Sequence, residues 1–143
     1  MELGPEYFMK QALRLAEQAY DEDEIPIGAV VVAQNKIIGK GYNQVERLKD
    51  PTAHAEMLAI TAAANFLGAK YLPECELYIT VEPCLMCFGA IQHARIPKMF
   101  IGCEEPRHGF TKSIASYKTS TIWGILGEES KGLMQSFFEN KRV

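Results

Sequence analysis

Two cysteines set two residues apart behind a proline, Pro83-Cys84-Leu85-Met86-Cys87, constrain this chain more than any other stretch. The alternating apolar residues Leu77, Ile79 and Val81 lead straight into them, so the pair falls where a strand hands over to a helix and both sulfurs can hold one metal ion. Taken alone, a Cys-x-x-Cys at such a junction fits a redox-active pair equally well. Upstream, His54-Ala55-Glu56 adds an imidazole and a carboxylate. His54, Cys84 and Cys87 then make up the three protein ligands of a catalytic zinc site, which keeps its fourth position for water.

Cysteine binds metal as the thiolate, and a helix N-terminus lowers the thiol pKa through its dipole and free N–H groups. Two thiolates donate more charge than imidazoles, so the ion acidifies water less than in an all-histidine site and a nearby base becomes important. Glu56 is the natural base. It takes a proton from water, passes it to a ring nitrogen as the oxygen attacks an amine-bearing carbon, and then protonates the leaving amine. The products are an oxo base and ammonia. Cys75 and Cys103 have no Cys-x-x-Cys partner and read as small buried hydrophobes near strand ends.

At 143 residues, 48% of them apolar, residues 1–143 fit a single domain with a real core. Such a chain does not need disulfides among its four cysteines, which favours metal or redox chemistry at the Cys-x-x-Cys. No apolar run reaches the ~18 residues of a membrane span, and the N-terminus lacks a basic segment followed by an apolar one. A cytoplasmic protein with no membrane partner is expected. A net charge of -3 gives no global attraction to phosphate, so any nucleic-acid contact must come from a local patch.

Along the chain, Gly4-Pro5-Glu6 opens a helix with Phe8, Met9, Ala12, Leu15, Ala16 and Ala19 on its core face. Residues 27–32 and 36–42 read as a hairpin around Gln34-Asn35. Gly28 in the first strand marks either a bulge or room for a flat base. Asp50-Pro51-Thr52 supplies cap chemistry before a helix over 53–67, which is apolar almost all round and so expected to be buried, with His54 and Glu56 in its first turn. A strand ending at Val81, a second buried helix over 84–94 and a strand over 99–103 imply parallel neighbours joined by a crossover. Residues 104–120 are polar and irregular. A fifth strand over 121–126 and a helix over 128–142, with Leu133, Met134, Phe137 and Phe138 on one face, close the chain.

On these residues the chain resembles the cytidine deaminase superfamily, and within it the bacterial tRNA adenosine deaminases. His-x-Glu followed by Pro-Cys-x-x-Cys is the signature of zinc deaminases. The likeness runs from Ile25-Pro26-Ile27-Gly28-Ala29-Val30 through Gly41-Tyr42-Asn43, Asp50-Pro51-Thr52-Ala53-His54-Ala55-Glu56 and Thr80-Val81-Glu82-Pro83-Cys84-Leu85-Met86-Cys87. It resumes at Gly124-Ile125-Leu126 and Phe137-Phe138. The resemblance implies an α/β fold, a three-layer α/β/α sandwich around a mixed five-stranded sheet, with Zn2+ as cofactor. It also implies a homodimer with active sites near the interface, and Asn43 hydrogen-bonding the base; Gly28, Ala55 and Glu105 are further candidates for substrate contact. Where the tRNA enzymes share an aspartate near the RNA backbone, this chain reads Glu104-Glu105-Pro106, and its segment 109–123 is shorter than theirs.

Three functions compete. One is adenosine-to-inosine deamination in a tRNA anticodon stem-loop, motivated by the overall likeness and by Lys112, Lys118, Lys141 and Arg142. Another is deamination of a small free base or nucleoside, guanine, cytosine or adenine, motivated by the acidic balance and the altered residues 104–109. The third, a non-catalytic zinc or Cys-x-x-Cys redox module, has no use for Glu56. The tRNA substrate stands first.

Overall fold

The computed structural model describes residues 2–141. In chain order the elements are α1 (Pro5–Asp21), β1 (Gly28–Ala33), β2 (Lys36–Tyr42), α2 (Val45–Leu48), α3 (Ala55–Leu67), β3 (Cys75–Val81), α4 (Leu85–His93), β4 (Lys98–Cys103), a 3-10 turn (Phe110–Lys112), β5 (Ser120–Trp123) and α5 (Gly127–Lys141). The sheet runs β2-β1-β3-β4-β5. β1 is antiparallel to both β2 and β3, whereas β3, β4 and β5 are parallel, so the sheet is mixed as expected. Gln34 and Asn35 close the hairpin with both residues left-handed (φ 51 and 62), the turn whose twist matches that of paired strands.

Period-two alternation sorts the side chains into two cores. Ala29, Val31, Leu77, Ile79, Met99 and Ile101 face α3 and α4. Val30, Val32, Tyr78 and Phe100 face α1, where Phe8, Met9 and Ala12 are buried, and Tyr78 stacks on Phe100 at 4.2 Å. α5 completes the α1 side of the sandwich, and Tyr20 on α1 meets Ser136 on α5 at 2.8 Å. Among the described residues, no helix is long and apolar enough to cross a membrane.

Gly28 turns out to serve packing. A Cβ there would lie 2.0 Å from the Ala12 carbonyl oxygen and 2.7 Å from the Ala16 nitrogen, so its bare backbone seats α1 against the sheet. It does not make the bulge: the register slips between Val31 and Val32, where Ile38 is the extra residue on β2. On the other face Gly41 admits α3 in the same way.

The expectation of fully buried central helices needs correcting. α3 buries Ala55, Glu56, Ala59 and Ala63 but leaves Phe66 69% and Leu67 46% exposed. α4 buries Cys87, Phe88 and Ile91, whereas Leu85 is 50% exposed. A sheet can cover only one side of each helix. β5 stops at Trp123, because Gly124 turns left-handed (φ 88), and on α5 only Phe137 of the expected apolar face is buried while Phe138 is 41% exposed. Arg142, expected in that helix, lies outside the described residues.

Candidate metal centre and active site

Two helix N-termini converge at one end of the sheet. His54 is the N-cap of α3 and Cys84 the N-cap of α4, both extended, while Glu56 and Cys87 fall in the first turns. Asp50 does not cap α3. Its Oδ1 accepts the Thr52 N–H and hydroxyl at 2.8 and 2.7 Å, closing its own turn and lowering its pKa, so α3 begins two residues later than expected.

His54 Nδ1 lies 3.4 Å from Cys87 Sγ and 3.7 Å from Cys84 Sγ, and the three ligating atoms lie within 4.8 Å of one another. Tetrahedral zinc, with bonds of about 2.3 Å to sulfur and about 2.0–2.1 Å to nitrogen, has sulfur–nitrogen edges of about 3.6 Å. The donor set and its spacing therefore fit Zn2+.

The cysteines share their protons unequally. The S–H of Cys87 donates to Cys84, pulling Cys84 down to about 3 and holding Cys87 above its usual value. A hydrogen bond with Cys84 raises His54. A bound divalent cation displaces the remaining thiol proton. Glu56 is fully enclosed, and loss of hydration pushes its carboxyl up to about 7 against the opposing pull of its own backbone N–H, His54 and the Cys87 thiol. A carboxyl poised there can both accept and return a proton near neutrality.

Above this cluster lies a groove of about 1970 Å³, with Asn43, His54, Glu56 and Cys84 in its lining. Asn43 Oδ1 accepts the Ala55 N–H at 2.8 Å, and its Nδ2 has no partner among the described residues. Ala55 is fully buried and is absent from the groove lining, and its N–H holds the Asn43 side chain. Glu105 does line the groove, but its carboxylate accepts the backbone N–H groups of Arg107 and His108 and so shapes a turn.

Sequence reasoning missed two buried carboxylates that hold the groove walls. Glu24 accepts the N–H groups of Glu46 (3.1 Å) and Arg47 (2.8 Å), anchoring α2. Glu82 accepts those of Glu105 and Thr111. An acidic residue beside an apolar strand end was the available signal for each.

Residues 4–103 match the family described as the cytidine and deoxycytidylate deaminase zinc-binding region. The chain belongs to that family of zinc-dependent deaminases. Within it the chain falls with the tRNA-specific adenosine deaminases: the enzyme of that name from Aquifex aeolicus is 50% identical over 98% of this chain and 97% of its own length. A structure from a study of A-to-I editing by tRNA:A34 deaminases at the wobble position of transfer RNA superposes with a TM-score of 0.84, at 36% identity over 89% of this chain and 98% of that one. Guanine deaminase from Bacillus subtilis is also similar, with a TM-score of 0.70 and 43% identity over 73% of this chain and 67% of its own.

Proposed function

We propose that this zinc deaminase converts an adenosine in the anticodon loop of a tRNA to inosine, releasing ammonia. The observation that carries the reading is that Glu56, His54 and Cys84 line a groove of about 1970 Å³, with Cys87 buried behind them in the same ligand set. Pockets for small molecules usually occupy about 300–1,000 Å³, so this groove has room for nucleotides flanking a flipped base. The 50% identity to a tRNA-specific adenosine deaminase supports the same substrate.

Held by His54, Cys84 and Cys87, zinc supplies a water made nucleophilic at neutral pH. Glu56 would take one proton from that water and deliver it to the ring nitrogen beside the attacked carbon, then take the second from the newly attached hydroxyl and deliver it to the departing amine. Asn43, its Oδ1 fixed by Ala55, turns Nδ2 to an acceptor on the base. Of the groove cations among the described residues, Arg47 pairs with Glu22 and Lys141 with Asp23, which leaves Arg107 and Lys131 for phosphate.

The reading includes a homodimer. Phe66 and Leu67 on α3 and Leu85 and Met86 on α4 expose large apolar side chains on one layer, and Leu85 and Met86 lie between the two cysteine ligands in sequence. A second copy covering them would also enclose the site.

A second reading, deamination of a free base, is favoured by the many carboxylates along the groove rim, among them Glu104, Glu128 and Glu129, which repel phosphate. One experiment separates the two: purified protein is given an adenosine-containing anticodon stem-loop and, separately, free guanine, cytosine and adenine. Inosine formed in the stem-loop supports the RNA reading, and ammonia released only from free bases replaces it with the second.

A further inference from the structure

We propose that Glu82 is a positioning residue: its buried carboxylate clamps residues 105–111, the first four of which line the groove, onto the cysteine turn, and so governs how tightly substrate is held rather than how fast it reacts. The idea rests on the deaminase reading of the groove given above.

Glu82 immediately precedes Pro83-Cys84 and is only 4% exposed. A carboxylate that far from water needs donors, and the donors come from a distant stretch of chain. Its Oε1 accepts the Glu105 N–H at 3.1 Å, and its Oε2 accepts the Thr111 N–H at 3.0 Å and the Thr111 hydroxyl at 2.7 Å. Both oxygens are therefore taken up by the wall, unlike the acid–base group Glu56.

The backbone repeats the connection. The Glu82 N–H donates to the Cys103 carbonyl at 2.8 Å, the Phe110 N–H donates to the Pro83 carbonyl at 2.9 Å, and Cys84 itself pairs with Gly109. Gly109 leaves the space the carboxylate fills: a Cβ there would come 2.2 Å from Glu82 Cδ and 2.3 Å from Oε2. Glu105, fixed by Glu82, in turn accepts the N–H groups of Arg107 and His108, both of which face the groove. A continuous set of hydrogen bonds thus runs from the residue before the cysteine turn to the side chains that meet substrate.

Three substitutions at two positions probe this. Glu82→Gln keeps the size but sets an amide donor against N–H donors, and Thr111→Val deletes one hydroxyl on an exposed residue that Thr111→Ser restores. With the stem-loop as substrate, Glu82→Gln should raise KM about ten-fold or more and Thr111→Val by a smaller factor, while Thr111→Ser stays near wild type and kcat changes less than about two-fold throughout. Bound zinc should be undiminished. Hydrogen exchange at the amides of residues 105–111 should quicken about ten-fold in Glu82→Gln and Thr111→Val, with β3 unaffected.

Unchanged exchange in both variants, or a fall in kcat at constant KM, overturns the proposal, and so does loss of zinc. If Glu82→Gln does not fold, the Thr111 pair decides. A wild-type protein that ignores the stem-loop but deaminates a free base refutes the RNA reading alone; KM is then measured on that base, and the exchange result stands apart from either substrate.

Discussion

Asn43 accepts the Ala55 N–H through its side-chain Oδ1 at 2.8 Å, and Ala55 is the residue between His54 and Glu56. The strand-end asparagine and the start of the metal-bearing helix are therefore locked together. Asn43→Ala strands a buried N–H, which costs about 1–3 kcal/mol, and removes the amide that faces the groove. Asn43→Asp keeps the acceptor at a helix end that favours negative charge. Thermal unfolding should fall clearly for the first variant and little for the second, while kcat/KM drops in both.

Glu56→Gln keeps the shape of the buried side chain and removes its ability to carry a proton. Zinc content and the circular dichroism spectrum should match the wild type, while turnover falls by about 10²–10⁴-fold or more. Preserved turnover at full zinc content would remove Glu56 from the mechanism.

The same carboxyl makes stability depend on pH. Its pKa is raised to about 7 in the folded metal-free protein by loss of hydration, against about 4.3 in an unfolded chain. Between these values the folded state binds more protons than the unfolded one, so its contribution is present below about pH 4 and is lost as pH rises through about 7. Relative to Glu56→Gln, the chelated wild type should lose on the order of 1–3 kcal/mol between pH 4.5 and 7.5. Parallel unfolding curves for the two proteins across that range would contradict the buried-acid account.

A group able to hold a metal was legible because its signal is local: His54-Ala55-Glu56 and Cys84-Leu85-Met86-Cys87 mark candidate ligands by residue type and spacing, the structure brings His54, Cys84 and Cys87 together, and the strands declare themselves by period-two alternation. What stayed hidden depends on distant partners. α2 spans four residues, too few for any periodicity, and is held by Glu24 from twenty-odd residues upstream. Phe110 is fully buried within a polar stretch because it stacks on Phe88 at 4.3 Å. Gly28 announced a close approach to the backbone, but only the fold reveals that α1 makes it.

That assignment of Gly28 can be checked. An alanine methyl would collide with the backbone of Ala12 and Ala16, atoms that move only if α1 lifts from the sheet. Overpacking of a rigid core costs about 1–3 kcal/mol or somewhat more. Gly28→Ala should lower the unfolding midpoint while leaving KM of the folded fraction unchanged. A raised KM with normal stability would return Gly28 to the substrate pocket.

The exposed apolar layer leads to the last expectation. Leu85 and Met86 are 50% and 37% exposed although they sit on the turn that carries both cysteine ligands, and Phe66 on α3 is 69% exposed. Burying a large apolar side chain contributes about 1.5–3 kcal/mol, and a two-fold interface counts each residue twice. One charge placed there is likewise repeated and must be desolvated twice. Met86→Glu and Phe66→Glu should therefore shift the proposed dimer to monomer in sedimentation experiments. Met86→Glu should also lower kcat/KM about ten-fold or more, because in the proposed dimer the turn between the candidate ligands would lose its cover from the second copy. A wild-type protein that sediments as a fully active monomer would show that these side chains face water in the working enzyme.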